Sequence, residues 1–176
     1  MTQQEFFAIL PDSLIEGLRA AVQHGFDHYT ASYQSVADEH SSRSVASLIH
    51  DHICEQAKRE LCGNDLTYKI YQQRNIFIFR DLLILTFKKF DEKLDSRNYP
   101  TVTSEKFTSQ EDLEGIDSTL PRVEVGYVTD PAGAGINGIF AVYRTKVNGH
   151  KQIDWSANLS DPDEYRQQDI QLPKNA

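Results

Sequence analysis

The sequence predicts an α+β domain: two N-terminal helices packed on a mostly antiparallel β-sheet, with a C-terminal three-strand meander. Three observations support this. Apolar residues recur at helical spacing through the first sixty positions. From Leu66 the period changes to alternation, in β-branched and aromatic runs split by polar turns. After a long polar stretch, strand character returns at Arg122 to Thr129, Ile136 to Thr145 and Gln152 to Leu159.

The first helix opens at Pro11-Asp12-Ser13, where Ser13-x-x-Glu16 matches a capping box. Leu14, Leu18, Val22, Phe26 and Tyr29 then form its apolar stripe, although Gly17 and Gly25 each cost about 1 kcal/mol against alanine in a helix interior. Ser41-Ser42 restarts the chain as a second helix over 42–62, which Gly63-Asn64 ends. The strand runs Leu66 to Tyr71, Ile76 to Phe79 and Leu82 to Phe87 follow. Asp95 to Leu120 is long and polar for a loop, with one short helix expected to open at Ser109-x-x-Asp112. In the meander, Pro131 to Gly135 reads as a turn and Asn148-Gly149 as a hairpin signal.

A chain of 176 residues suits one domain, expected over 1–160, that buries roughly two-thirds of its unfolded surface. Residues 161–176 read as a polar, poorly ordered tail. The net charge of −8 disfavours non-specific binding to nucleic acid or membranes and suits a basic protein partner. Cys54 and Cys62 lie eight residues apart on one predicted helix, roughly 12 Å, too far for a mutual disulfide. Free thiols, no basic leader in Met1 to Leu10 and no apolar run of spanning length predict a cytoplasmic protein without a membrane role.

The densest polar constellation is Arg43-x6-His50-Asp51-His52. On a helical projection Arg43 and His50 fall on the stripe of Ala46, Ile49, Ile53, Cys54, Ala57 and Leu61, so both are expected to look inward and to need partners there. Three readings fit this placement: a hydrogen-bonded structural cluster, a catalytic or ligand-binding site with His50 as acid or base and Asp51 orienting it, or a metal site. The metal reading is the weakest. His50 and His52 point about 200° apart on a helix, and His50 with Cys54 makes only two ligands. No metal or cofactor is therefore assigned.

A second candidate is Phe87-Lys88-Lys89-Phe90-Asp91, where two lysines leave a strand beside the long loop and can meet a phosphate or carboxylate, or simply be solvated. Pro131 to Gly135 lacks the Gly-Lys-Ser/Thr ending of a nucleotide loop. Trp155, Tyr127 and Tyr143 on the meander read as packing residues or, alternatively, as an interface. Asp81, Asp91 and Asp154 are carboxylates for metal-dependent hydrolysis by position alone.

Taken in order, Arg43-x6-His50-Asp51-His52, Phe87-Lys88-Lys89-Phe90-Asp91, Asn98-x-x-Thr101, Gly126-Tyr127 and Trp155 resemble an uncharacterised group of bacterial proteins. Its members are encoded beside helix-turn-helix regulators that often carry a zinc-metallopeptidase domain. The likeness covers about residues 40–160. Such neighbourhoods are typical of toxin–antitoxin modules, some of them acting in phage defence. The resemblance implies a toxin-like component neutralised by a helix-turn-helix regulator, and it brings no established active site. Arg43, His50, Asp51, Lys88, Lys89 and Asp91 are the polar positions that match its pattern.

If the chain is an enzyme, the expected pocket lies between helix 42–62 and strand 82–90, where Lys88 or Lys89 holds an anionic substrate and His50 moves a proton. A nucleic-acid or nucleotide substrate and a homodimer both stay open. The competing reading is a non-catalytic antitoxin or adaptor that covers a basic partner with its acidic surface and meander aromatics.

Overall fold

The computed structural model describes residues 1–96, 102–111, 117, 119–148 and 150–161. Three helices precede the sheet: α1 (Gln3–Ile9), α2 (Asp12–Tyr33) and α3 (Ser42–Leu61), with a 3₁₀ turn at Gln34–Glu39 between the last two. Six strands follow: β1 (Leu66–Tyr71), β2 (Arg74–Phe79), β3 (Leu83–Phe90), β4 (Arg122–Thr129), β5 (Ile136–Val147) and β6 (His150–Asn158). The short helix α4 (Val102–Thr108) lies in the crossover from β3 to β4. The strands stand in sequence order in a single sheet. All pairs are antiparallel except β3 and β4, which run parallel from Ile84 beside Arg122 to Phe90 beside Val128. The α+β class stands, and the expected meander β4–β6 is half of one six-stranded mixed sheet.

Two helical expectations are corrected. The capping box seen is Thr2/Glu5, where the Thr2 hydroxyl accepts from the Glu5 amide (3.2 Å) and the Glu5 carboxylate accepts from the Thr2 amide (2.7 Å). It opens α1, whose buried Phe6 meets Trp155 at 5.2 Å between ring centroids. The other correction is at Ser109. This residue closes a helix instead of opening one, because its amide bonds back to the Glu105 carbonyl (2.9 Å). Asp112 lies outside the described residues, as do Asn98, Thr101, Gly149 and residues 162–176 of the expected tail.

Helices α2 and α3 pack face to face. A Cβ built on Gly25 would stand 2.7 Å from the Ile53 backbone nitrogen, so this glycine lets the two helices approach closely and offsets its low helix propensity. Beneath them, one sheet face presents Phe77, Phe79, Leu83, Leu85, Phe87, Val123, Val125, Tyr127, Ile139 and Ala141 to the main core. The opposite face differs. Ile76, Ile78 and Ile84 pack with Phe107 of α4, and Phe90, Val128 and Val142 form a second apolar patch. Thr86, Arg122, Glu124 and Arg144 are buried as well. Trp155, Tyr127 and Tyr143 are packing residues: the indole Nε1 donates to the Met1 carbonyl (3.0 Å), Tyr143 stacks on Trp155, and Tyr127 belongs to the core.

Candidate functional site

The β2–β3 pairing is shorter than either strand. It consists of Phe77 with Leu85, Ile78 with Ile84 and Phe79 with Leu83, and it ends there. Beyond Phe77 the β1–β2 hairpin parts from β3, while β3 stays with β4 to Phe90. Continuing the β2–β3 register would set Arg74 directly opposite Lys88, and like charges facing one another across a pair are destabilising. An open cleft of about 1390 Å³ occupies the gap, with the first half of α3 along one side. The hairpin tip at its rim is Gln72-Gln73, both left-handed (φ 45° and 64°), a two-residue turn built without glycine.

Arg43, His50, Asp51, Lys88, Lys89 and Asp91 all line this cleft. Their individual settings depart from expectation. Arg43 is exposed and not turned inward, and this overturns the sequence reading of that residue. It does lie in line with His50 on the helix, but it belongs to the first turn of α3, where Ser42, Arg43 and Ser44 are all exposed and no core lies below them. His50 sits at the margin of the buried stripe, with its side chain 34% exposed. Burial and, secondarily, the nearby Lys88 charge hold its proton affinity below the ordinary imidazole value, against the opposing pull of Asp51. The ring is thereby kept neutral and able to accept a proton near pH 7.

Asp51 is not a close orienting partner. Its carboxylate lies 3.7 Å from His50 Nδ1, its side chain is 70% exposed, and the separation is longer than a hydrogen bond. Cys54 Sγ lies 3.7 Å from His50 Nε2, and desolvation pushes this thiol up to about 12, so it stays protonated and is no nucleophile near neutral pH. His52 belongs elsewhere: its ring is 4.4 Å from that of His28, across the α2–α3 seam, and its Nε2 is buried without a partner among the described residues. The helical angle between positions two apart splits the His-Asp-His string between two places.

On β3, alternation puts Phe87 on the helix face of the sheet and Thr86 on the opposite face, where Lys88 follows at the same parity. Burial lowers the proton affinity of the Lys88 ammonium, with Arg74 adding to the effect and Glu124 opposing it. Asp91 shapes the chain after β3, its carboxylate accepting from the amides of Lys93 (2.9 Å) and Asp95 (3.0 Å). Asp81 lies in the turn before β3 and Asp91 just past its end, while Asp154 accepts from Thr145 (2.8 Å), so these carboxylates do not converge. Among the described residues no three His, Cys, Asp or Glu side chains are grouped to hold a metal ion.

Sequence reasoning missed the residues beneath the lysines. Arg74 stacks over the Phe107 ring (4.7 Å), and its Nε and Nη1 are buried with no hydrogen-bond partner among the described residues. The Thr86 hydroxyl is likewise buried and unpartnered, on a residue 2% exposed. Glu124 gives one carboxylate oxygen to Arg144 Nε (3.0 Å), both side chains being almost fully buried. Arg122 also lies over the Phe107 ring, at 5.4 Å, and donates to the Glu111 carbonyl (2.8 Å), tying the crossover segment to the sheet. The available signal was alternation itself: in Arg122-Val123-Glu124-Val125 the charged and apolar residues take opposite faces, so two charges share the face away from the helices.

The cleft thus brings together a neutral imidazole and cationic groups, an arrangement able to hold an anion and move a proton. The chain matches no protein-family model, no curated protein and no solved structure.

Proposed function

We propose that this chain is the toxin-like component of a two-gene toxin–antitoxin or phage-defence module, that it acts on an anionic substrate in the cleft between α3, β2 and β3, and that a DNA-binding regulator neutralises it. The observation that carries the chemical half of this reading is the placement of His50 and Lys88 in one open cleft, with the Lys88 charge close enough to lower the proton affinity of His50. Lys88 and its cationic neighbours hold the substrate, and His50, neutral near pH 7, takes or returns the proton. Arg43 at the rim steers an anion inward through long-range attraction. The two-gene setting rests on the ordered likeness of the motifs.

Expression of the chain alone should arrest growth, co-expression of the neighbouring regulator should restore it, and His50→Ala should relieve the arrest while the protein keeps its melting temperature. Normal growth on expression of the folded wild-type chain refutes the toxin reading.

The excess of 26 acidic over 18 basic residues favours a second reading, a non-catalytic antitoxin or adaptor that binds a basic partner. Its recognition surface is then charged and not aromatic, since Tyr143 and Trp155 are spent on internal packing. Under that reading His50→Ala lowers melting temperature and partner affinity together.

A further inference from the structure

The end of the β2–β3 pairing coincides with the point where two cations would meet. Arg74 falls opposite Lys88 in the continued register, and the strands separate instead. Both side chains line the resulting cleft, together with Thr86. Arg74 has two buried guanidinium nitrogens without a hydrogen-bond partner among the described residues, and the Thr86 hydroxyl is in the same condition. The carboxylate on this face, Glu124, gives one oxygen to Arg144, and its other oxygen is buried with no hydrogen-bond partner among the described residues. Donor capacity at the cleft floor is left over: two guanidinium nitrogens of Arg74 and the Thr86 hydroxyl make no hydrogen bond to a described residue, and Glu124 is the single buried carboxylate near Arg74 and Lys88 among the described residues.

We infer that Arg74, Thr86 and Lys88 form the seat of a phosphoryl group, which bridges the separated ends of β2 and β3. The chemistry fits each member. A guanidinium presents a planar fork of donors, an ammonium gives a mobile point charge, and a hydroxyl gives one more donor, a combination suited to the several oxygens of a phosphoryl group. A dianion between Arg74 and Lys88 also converts their repulsion into two attractions. The inference rests on the cleft being the substrate site, and it names the substrate class: a phosphate ester or free phosphate, held so that His50 on α3 faces the adjoining group.

Calorimetric titration of the full chain with inorganic phosphate, adenosine monophosphate and acetate tests this. Phosphate and the nucleotide should bind, and acetate should bind about tenfold more weakly or worse, having fewer acceptor oxygens and one charge less. Arg74→Gln and Lys88→Gln should each weaken phosphate by about tenfold or more, whereas Arg59→Ala, in the last turn of α3, should change it by less than about twofold. Lys88→Glu is the stringent variant: with its fold verified by circular dichroism, phosphate binding should disappear. Nucleotide binding tighter than phosphate identifies an ester as the ligand, equal binding identifies the free anion, and both uphold the seat.

Folded protein that ignores phosphate up to about 10 mM, binds acetate as well as phosphate, or keeps its phosphate affinity in Lys88→Glu overturns the inference. Growth arrest that needs His50 in a chain that binds no phosphate would leave the cleft reading standing and remove the phosphoryl seat. Phosphate binding lost in the variants, with no growth arrest, would do the reverse.

Discussion

The two faces of the sheet solve burial in opposite ways. Toward α2 and α3, strand residues of one parity are almost uniformly aliphatic or aromatic, and the face closes by packing alone. On the other face, small apolar patches flank four buried polar residues: Arg122 is hydrogen-bonded to the crossover segment, Glu124 and Arg144 bond each other, and the Thr86 hydroxyl has no partner among the described residues. Gln110 shows how this works: its side-chain amide accepts from the Arg122 amide (2.8 Å) and donates to the carbonyls of Arg122 (2.9 Å) and Arg144 (3.1 Å). The apolar face tolerates any filling of the right volume. The polar face demands particular partners, and the cleft opens where its partners run out.

The largest separation between the faces should come from Glu124→Gln. It leaves Arg144 and the cations around it without their buried carboxylate, at a cost of about 3 kcal/mol, whereas Phe77→Leu on the apolar face should cost about 1 kcal/mol. Urea unfolding of the two variants checks this, and similar losses would mean that the far face is held by packing like the near one.

Gly126→Ala probes the seam between β3 and β4, where a Cβ would stand 2.2 Å from the Lys88 carbonyl oxygen and 2.6 Å from the Phe90 ring. Since the first obstacle is backbone, the parallel pair has to shift, and a loss of about 1–3 kcal/mol is expected. A variant as stable as wild type would show that β3 is free to move at the cleft.

The smallest effect is a pH dependence. The proton affinities of His50 and His52 are both lowered in the folded chain, first of all by burial, so the unfolded chain takes up protons earlier as the pH falls. Their contribution is present above the ordinary histidine value of about 6.5 and is lost as the pH drops through the lower folded values. Stability measured between neutral and mildly acidic pH should therefore decline, and His52→Gln should flatten part of that decline. A decline unchanged in the variant would place its origin outside the α2–α3 seam.

The helix face of this protein was legible residue by residue. Leu14 to Tyr29, Ile49 to Ala57 and the alternation in β2, β3 and β4 carry their burial in their period. Part of the cleft lining was legible too: Arg43, His50 and Lys88 line it, whereas Arg74 and Thr86 were not singled out. Two things were not. Helical projection treats every turn as facing the same core, so it could not show that Arg43 overhangs open space. Nor could it show that Arg74, read as part of a polar turn, shares the cleft with Lys88, since that depends on strand register and on where pairing stops.

By itself, then, the order of residues determined which side chains are apolar, with what period, and hence the α+β layering and the face each strand turns to the helices. The pairing of β3 with β4 across a crossover, the parting of β2 from β3 and the burial of Arg122, Glu124 and Arg144 were decided only in three dimensions. The physical reason is range: periodicity is a local property of the backbone, whereas charge compensation and strand register are settled between groups far apart in the chain.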